Sequence, residues 1–459
     1  MSAESATPRV LSRPAVRGRL SPAHLRRLRW TPVAPVLATV LVLCAPVPTG
    51  DAAAPGGVTF ADGASVLLVT WCGVRLLRGR GGPLTPLGAL VFGAPTVAFA
   101  VATAASADPS ASLPGFLRSL QIFVLVPLAV LLVLRDARDF RLLCGALVVL
   151  ALVQGGVGVV QNVTGTGASF GGRTIRAVGT FGPLDVMGMA TVVAYGLVAA
   201  VALGLGARDR TPRGLRPAAL CAAAALVVPL ILSYSRGAWI ASAAACTVVL
   251  FLSGARRAVV VLAALTAGAV VVIGGFGVGS AQVGERFASI TDVSSAPDRS
   301  VDDRYSLWSA AAAMWRDEPA TGVGPKNFAS HRDSHAPLGL SSGSDTEGAG
   351  QDFRREPLLS PHNMYLLLLS EQGLVGTTAV AGGWVALLVV GVRRHREARS
   401  AGARDCGLAA VGLLVWQTVD FLYADIGGPS TVLTAVALGM AAWWALHPSP
   451  AAGDEAAAR

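Results

Sequence analysis

Charged residues are scarce in this sequence, where they make up 14% of 459 residues, against about 25% in soluble domains. Hydrophobic residues make up 53%, and the mean hydropathy is +0.59. So few charges exclude an ordinary soluble enzyme. The apolar residues stand in long blocks bounded by arginine and glycine, which is typical of a polytopic membrane protein.

Cysteine is also sparse. Each of the six cysteines lies in or beside an apolar block, and none lies in the long polar segment at 279–362. This distribution argues against a disulfide framework and against a metal site of the Cys-x-x-Cys type.

The apolar blocks predict an all-α protein with about twelve transmembrane helices, since each crossing takes about 20 mainly apolar residues. The polar run Ser370-Glu371-Gln372-Gly373 interrupts the tenth span, where we expect a kink. The predicted spans are 32–48, 57–76, 84–105, 119–134, 141–162, 183–207, 217–233, 236–253, 257–278, 363–391, 407–423 and 428–446.

Arginine is distributed unevenly between the connections. The basic tail at 1–31 and every second connection after it are arginine-rich, which marks them as cytoplasmic. Both termini, including 447–459, are therefore predicted inside, and the spans at 32–278 and 363–446 flank one large extracytoplasmic loop at 279–362. The net charge of +10 is then mainly a topology signal facing anionic lipid, and we expect no nucleic-acid partner.

Two arginines lie beside predicted spans on the outer side, where charges are costly and often functional. Arg236 lies in the tight Ser-Tyr-Ser-Arg-Gly turn at 233–237. It either snorkels to lipid headgroups or grips a phosphate with its planar fork, helped by Ser235 and by the close approach that Gly237 allows. Arg176 ends a glycine-rich loop before the sixth span, where backbone N–H groups can also meet an anion.

The outer loop carries one strong helix signal, at 301–317. Ser300 suits the N-cap, acidic residues fill the first turn, and a proline follows the end. Arg304, Trp308 and Trp315 share one face at helical spacing. An arginine on this aromatic face is directed at the membrane or the helix bundle, where it can meet an anion; in the alternative reading, the helix is only an interfacial anchor.

The segment after this helix, at 321–328, contains Lys326, the single lysine of the chain. It is faintly similar to a phosphate loop but lacks the Gly-Lys-Ser/Thr ending and a preceding strand, so ATP binding is not supported. The polar, glycine-rich stretch at 337–358 is predicted to be a lid or a spacer.

Histidine is another scarce residue, with six in the chain. His362 lies where the chain re-enters the membrane, after a proline and before Asn363, on the side of the arginines. This placement favours a general base over the commoner structural role. His331 and His335 lie in polar surroundings typical of solvated side chains. No carboxylate or cysteine stands at ligand spacing from His362, which argues against a metal.

Taken together and in this order, these motifs resemble the O-antigen ligase and polymerase family of bacterial membrane glycosyltransferases. The matching stretches are Ser-Tyr-Ser-Arg-Gly-Ala-Trp at 233–239, Arg304 with its tryptophans, Asp-Glu-Pro-Ala-Thr-Gly-Val-Gly-Pro-Lys-Asn-Phe at 317–328, His-Asn-Met-Tyr at 362–365 and Glu-Gln-Gly-Leu-Val-Gly at 371–376.

The resemblance implies a GT-C-like fold in a bacterial cytoplasmic membrane. It implies transfer of a glycan from a polyprenyl-diphosphate-linked oligosaccharide to a saccharide, lipid or protein acceptor at the outer face, without a cofactor. A single displacement would invert the anomeric centre. The diphosphate-binding residues would be Arg236, Arg304 and Arg176, the base His362, and the residues that shape the acceptor side Ser235, Gly237, Asn363 and Lys326.

Two other classes remain open. A solute transporter also fits twelve spans with both termini inside, although the large insertion lies after the ninth span and no internal repeat is visible. A non-catalytic envelope-assembly protein would share the same topology. Among enzymes, the sequence leaves open a polymerase, a ligase and a protein glycosylation enzyme.

Overall fold

A computed structural model describes the protein over residues 32–46, 59–79, 84–169, 175–182, 185, 187–206, 214–276, 299–336, 344–346, 354–356, 359–397 and 403–447. The predictions for the basic tail at 1–31 and for most of the lid or spacer at 337–358 lie outside these residues.

The described residues are mainly helical. In chain order the helices are α1 Ala34–Leu41, α2 Phe60–Leu77, α3 Pro86–Ala105, α4 Pro109–Val133, α5 Ala137–Thr164, α6 Gly188–Gly206, α7 Leu215–Leu232, α8 Arg236–Ser253, α9 Ala255–Phe276, α10 Arg299–Asp317, α11 Phe328–His335, α12 Met364–Glu397, α13 Arg404–Asp420 and α14 Thr431–Leu446. Two short antiparallel strand pairs join them, β1 Ala168–Ser169 with β2 Ile175–Arg176, and β3 Ser344–Thr346 with β4 Arg354–Glu356.

Eight of the described helices are long and apolar enough to cross a membrane: α2, α3, α4, α5, α6, α7, α8 and α12. The other four predicted spans coincide with the apolar but shorter stretch Ala34–Cys44 and with α9, α13 and α14. A polytopic helical membrane protein is therefore confirmed. The count of twelve spans, their orientation and the domain boundaries stay predictions.

Helices α6 and α14 form the centre of the bundle. Of the apolar window of α6, 83% is buried, and every residue of α14 is buried. A helix that is apolar on all sides needs neighbours on all sides: α6 packs against α5, α7, α8 and α13, and α14 packs against α4, α12 and α13. The outer helices α2 and α7 instead expose apolar side chains such as Leu67 and Val228, as lipid-facing helices do.

Helix α12 is broken where the sequence predicted a kink. Gly373 has φ of 59° and ψ of −163°. A Cβ there would lie 2.3 Å from the backbone of Ala320, so both the conformation and the space require glycine. Beyond the break, the N–H of Leu374 donates to the carbonyl of Pro319 at 2.9 Å and that of Val375 to Ala320 at 3.2 Å. The predicted kink is confirmed, and the loop after α10 docks onto it.

The predicted helix at 301–317 is confirmed, but its start is earlier. It begins at Arg299, so Ser300 lies in the first turn and the prediction of Ser300 as the N-cap was wrong. Arginine and serine both accept helical geometry at modest cost, and nothing at this point of the sequence forces the helix to begin later. The face containing Leu307, Ala311 and Met314 is buried, and α10 packs on α12.

Candidate functional site

The turn before α8 fixes Arg236 at a helix N-terminus. The Ser235 hydroxyl accepts a hydrogen bond from the N–H of Ala238 at 3.3 Å, which makes Ser235 the N-cap. The Ser233 hydroxyl accepts one from the N–H of Ser235 at 3.3 Å. Arg236 is therefore the first residue of α8, where its charge adds to the positive end of the helix dipole and favours an anion.

Gly237 is required by its neighbour across the bundle. A Cβ at this position would lie 2.9 Å from the Cβ of Tyr423, closer than side chains tolerate. The sequence predicted that Gly237 allows a close approach, and the approaching group in this structure is a side chain of the turn after α13. The N-terminus of α8 and that turn are thus packed against each other.

Arg176 lies beside the same turn. Its Nε donates to the carbonyl of Ser233 at 3.0 Å, and the N–H of Ala177 donates to the carbonyl of Leu232 at 3.1 Å. Its Nη2 lies 3.9 Å from the Sδ of Met187. These contacts hold Arg176 next to the segment that leads into Arg236, so two of the three predicted diphosphate-binding arginines come together.

Arg304, on α10, interacts electrostatically with Arg236. Burial and the positive charge of Arg236 lower the pKa of Arg304, while the negative charge of Asp425 raises it. Guanidinium groups stay protonated even when their pKa falls. Two cations that repel each other are therefore held at one partly buried place by separate helices, which favours a doubly charged anionic ligand.

His362 is connected to α10 through its neighbour in the chain. Trp308, one helical turn after Arg304, donates from Nε1 to the carbonyl of Pro361 at 2.9 Å. His362 then adopts φ of 49° and is partly buried. Among the described residues its ring makes no hydrogen bond, so both ring nitrogens are open to a ligand.

Asn363 begins the membrane helix after His362. Its Oδ1 accepts from the N–H of Leu366 at 3.1 Å, and its Nδ2 donates to the carbonyl of Leu422 at 3.1 Å. The N–H of Met364 donates to the carbonyls of Phe421 and Ala424, at 2.9 Å and 3.0 Å. Asn363 therefore has a positioning role in this structure, as a cap that fastens the His362 segment to the turn after α13.

The turn at 421–425, which we name the α13 turn, was missed by the sequence analysis. It contacts Gly237, Asn363 and Met364, and its Asp425 acts on Arg304. The available signal was a pair of acidic residues, Asp420 and Asp425, at the end of a predicted span. Acidic groups in such places are rare, but their proximity to the arginines is not visible in the sequence.

Lys326 is held by contacts other than those that hold the arginines. Its segment docks on the broken region of α12, where the N–H of Val323 donates to Ser370 and that of Gly324 to Glu371, both at 2.9 Å. The N–H of Phe328 donates to the Glu371 carboxylate at 3.0 Å. The side chain of Lys326 is exposed, and its Cβ lies against Gly115 of α4. The structure does not bring it into contact with Arg236, and a role on the acceptor side stays a prediction.

The two loop histidines have partners on and around α11. His335 pairs through Nε2 with the carboxylate of Asp317 at 2.9 Å, and His331 Nδ1 lies 3.0 Å from the carbonyl of Asn327. These contacts stabilise α11 and its junction with α10.

Backbone strain coincides with the predicted site. Among the described residues, the non-glycine residues with positive φ are Tyr234, Lys326 and His362. Each lies in a loop singled out from the sequence. Such conformations cost about 1–3 kcal/mol and cluster at functional sites, because only the surrounding structure holds them in place.

Comparison with protein families agrees with this geometry. Residues 219–381 match the family described as O-Antigen ligase. The match covers just over a third of the chain and contains Arg236, Arg304, Lys326 and His362, whereas Arg176 and the α13 turn fall outside it. No curated protein matches the chain.

The resemblance stated from the sequence motifs is therefore confirmed, since the matched family and the eight apolar helices point to the same class of protein. Residues 219–381 are thus similar to the O-antigen ligase family, and the apolar helices on both sides of this region are those of a polytopic membrane protein.

Proposed function

We propose that the protein transfers a glycan from a polyprenyl-diphosphate carrier to an acceptor hydroxyl at the outer face of the membrane. The observation that carries this proposal is the meeting of Arg236 and Arg304 from two separate helices, with His362 fastened next to Arg304 through Trp308. A diphosphate, a neighbouring base and an acceptor are what this reaction requires.

The arginines stabilise the leaving group. As the bond between the anomeric carbon and the diphosphate oxygen breaks, negative charge grows on the polyprenyl diphosphate. Arg236 and Arg304 neutralise this charge, and the bound anion also reduces the repulsion between the two guanidinium groups. Arg176 supports the site from the loop before α6, through its bond to Ser233.

His362 accepts the proton of the acceptor hydroxyl. The acceptor oxygen forms its bond to the anomeric carbon from the face opposite the diphosphate, so the configuration inverts. Its proton passes to an unprotonated ring nitrogen of His362, and the polyprenyl diphosphate departs. No cofactor is required by this sequence of events, because the carrier is already activated. Ser235, Gly237 and Asn363 hold the backbone around the reacting groups.

Deletion of the gene tests the proposal. We expect a polyprenyl-linked glycan to accumulate and one surface polymer, glycolipid or glycoprotein to disappear, and the identity of the lost product separates polymerase, ligase and protein glycosylation. Loss of uptake of a solute without any accumulated lipid-linked glycan would instead support the transporter. A His362 variant that assembles normally but restores no product would exclude a purely structural role.

A further inference from the structure

A polar cavity lies near the arginines, between the N-terminal ends of α6 and α14 and the C-terminal end of α13. It has a volume of about 50 Å³ and is lined by residues that include Asp185, Thr191, Gln417, Asp420 and Asp425. A single water needs about 10–15 Å³ of such space, so the cavity holds a few waters or a group of their combined size. A whole sugar ring does not fit.

Two residues that line this cavity also interact with arginines of the proposed site. Asp425 lines it and acts electrostatically on Arg304. Met187 also lines it, and the Sδ of Met187 lies 3.9 Å from Arg176. The cavity therefore neighbours both Arg176 and Arg304.

The lining contains acceptors without donors. Asp420 is only 4% exposed, yet no group among the described residues donates a hydrogen bond to its carboxylate. The Oδ2 of Asp425 is also buried without a partner. Asp185 differs, because it accepts from the N–H and the hydroxyl of Ser430 at 3.2 Å and 2.9 Å. Buried polar groups normally have partners, so Asp420 and Asp425 point to a ligand or to ordered water.

The lining also contains a donor without an acceptor. The Oε1 of Gln417 accepts from the hydroxyl of Tyr195, which leaves the Nε2 of this 2% exposed side chain without an acceptor among the described residues. A hydroxyl group donates one hydrogen bond and accepts up to two. It can therefore donate to the Asp420 carboxylate and accept from the Gln417 amide at the same time. A metal cation would be repelled by the positive end of the Nε2–H dipole of that amide. In the described part of the chain, no group of three or more metal-ligating side chains occurs.

We propose that this cavity binds a hydroxyl or hydroxymethyl group of a sugar at the reaction centre, with Asp420 accepting and Gln417 donating a hydrogen bond. The inference rests on the proposed glycosyl transfer, since it names a subsite of the same site. The sugar is either the first residue of the donor glycan or the terminal residue of the acceptor, and the two carry the same chemistry into the cavity.

The test is a transfer assay with the purified full-length protein. The donor is the polyprenyl-linked glycan extracted from the deletion strain, and the acceptor is the envelope fraction of that strain that restores product formation. We expect Asp420→Asn to raise KM for one substrate about tenfold, as for loss of a charged hydrogen bond, with kcat changed by less than about twofold. A raised KM for the donor assigns the subsite to the donor sugar, and a raised KM for the acceptor assigns it to the acceptor.

Asp139→Asn is the matched control. Asp139 is also a buried carboxylate, 6% exposed, but lies near the start of α5. Gln161, near the other end of α5, contacts the loop that holds Arg176, and 22 residues of helix between them span about 30 Å. Asp139→Asn should leave both KM values unchanged.

Thr191→Val is the second test if Asp420→Asn does not reach the membrane. Thr191 lines the cavity, and valine has its shape without its hydroxyl, so we expect the same KM to rise about threefold. Unchanged KM values in a folded variant, a fall in kcat alone, or a requirement for added Na⁺ or Mg²⁺ that Asp420→Asn abolishes would each overturn the subsite. Failure of the glycosyl-transfer proposal is recognised separately, because the deletion strain would then accumulate no polyprenyl-linked glycan and the wild-type protein would transfer none.

Discussion

The indole of Trp308 donates a hydrogen bond to the carbonyl of Pro361 at 2.9 Å, and this bond connects the arginine helix to the histidine. Arg304 lies one turn before Trp308 on α10, and His362 directly follows Pro361. The distance between the proposed diphosphate site and the proposed base is therefore constrained by α10 and this hydrogen bond, together with the bonds of Asn363 and Met364 to the α13 turn.

Replacing Trp308 by Phe tests that connection. Phenylalanine keeps an aromatic ring in the partly buried site but removes the Nε1 donor, at a cost of about 1 kcal/mol. We expect kcat to fall about threefold to tenfold, because the His362 segment is less well positioned. Transfer kinetics measure the effect. Tyr305→Phe, on the exposed side of the same helix, is the control, and an equal loss in both variants would contradict the positioning role.

The largest expected effect concerns Arg236 and Arg304. Arg236→Ala and Arg304→Ala should each reduce transfer at least about 100-fold while the protein remains folded in the membrane. Arg304→Lys should recover only part of the rate, because lysine keeps the charge but loses the bidentate fork. Arg316→Ala is matched to Arg304, since Arg316 is an exposed arginine near the end of the same helix, and it should keep full activity.

The variant His362→Asn tests the imidazole as a base while it preserves the backbone conformation at this position. His362 has φ of 49°, a conformation that asparagine adopts more readily than most residues. The variant should therefore fold but lose at least about 100-fold in kcat, with little change in donor binding. His335→Gln, on a histidine paired with Asp317, should leave kcat unchanged. Comparable losses for both variants would remove His362 from the mechanism.

Gly237→Ala tests the contact between α8 and the α13 turn. The added methyl group would lie 2.9 Å from the Cβ of Tyr423, and such overpacking costs about 1–3 kcal/mol. We expect a lower melting temperature and reduced transfer. Gly382→Ala is the control, because nothing lies within 4 Å of a Cβ at that helical position and alanine favours a helix. A fully active and stable Gly237→Ala would show that this contact is not needed.

Much of the fold could be predicted because it is local. Apolar blocks give membrane helices wherever about 20 such residues stand together, and helical spacing placed Arg304, Trp308 and Trp315 on one face. The kink in α12 was also local, since the polar run ending in Gly373 stands inside an apolar block. The start of α10 was predicted too late, because arginine and serine both accept helical geometry and Ser300 therefore also fits the first turn.

The site could be predicted only in part. Arg236, Arg304 and His362 were visible as polar residues beside apolar spans, and the structure connects them through Trp308 and the α13 turn. Lys326 stood out in the sequence because it is the single lysine, yet its segment packs on α4 and on the break in α12. The scarcity of a residue type in a sequence does not indicate which helix its segment packs against.

The sequence by itself determined that this chain crosses a membrane several times and presents an arginine-rich set of motifs of the O-antigen ligase type, since hydropathy and motif order are properties of neighbouring residues. Only the tertiary structure decided that Asp420, Asp425 and Gln417 face a common cavity next to the arginines. Asn363 and Leu422 are 59 residues apart in the chain, and Tyr195 and Gln417 are 222 apart. Contacts over such separations depend on how the central helices α6 and α14 order the bundle around them, and no local pattern encodes that order.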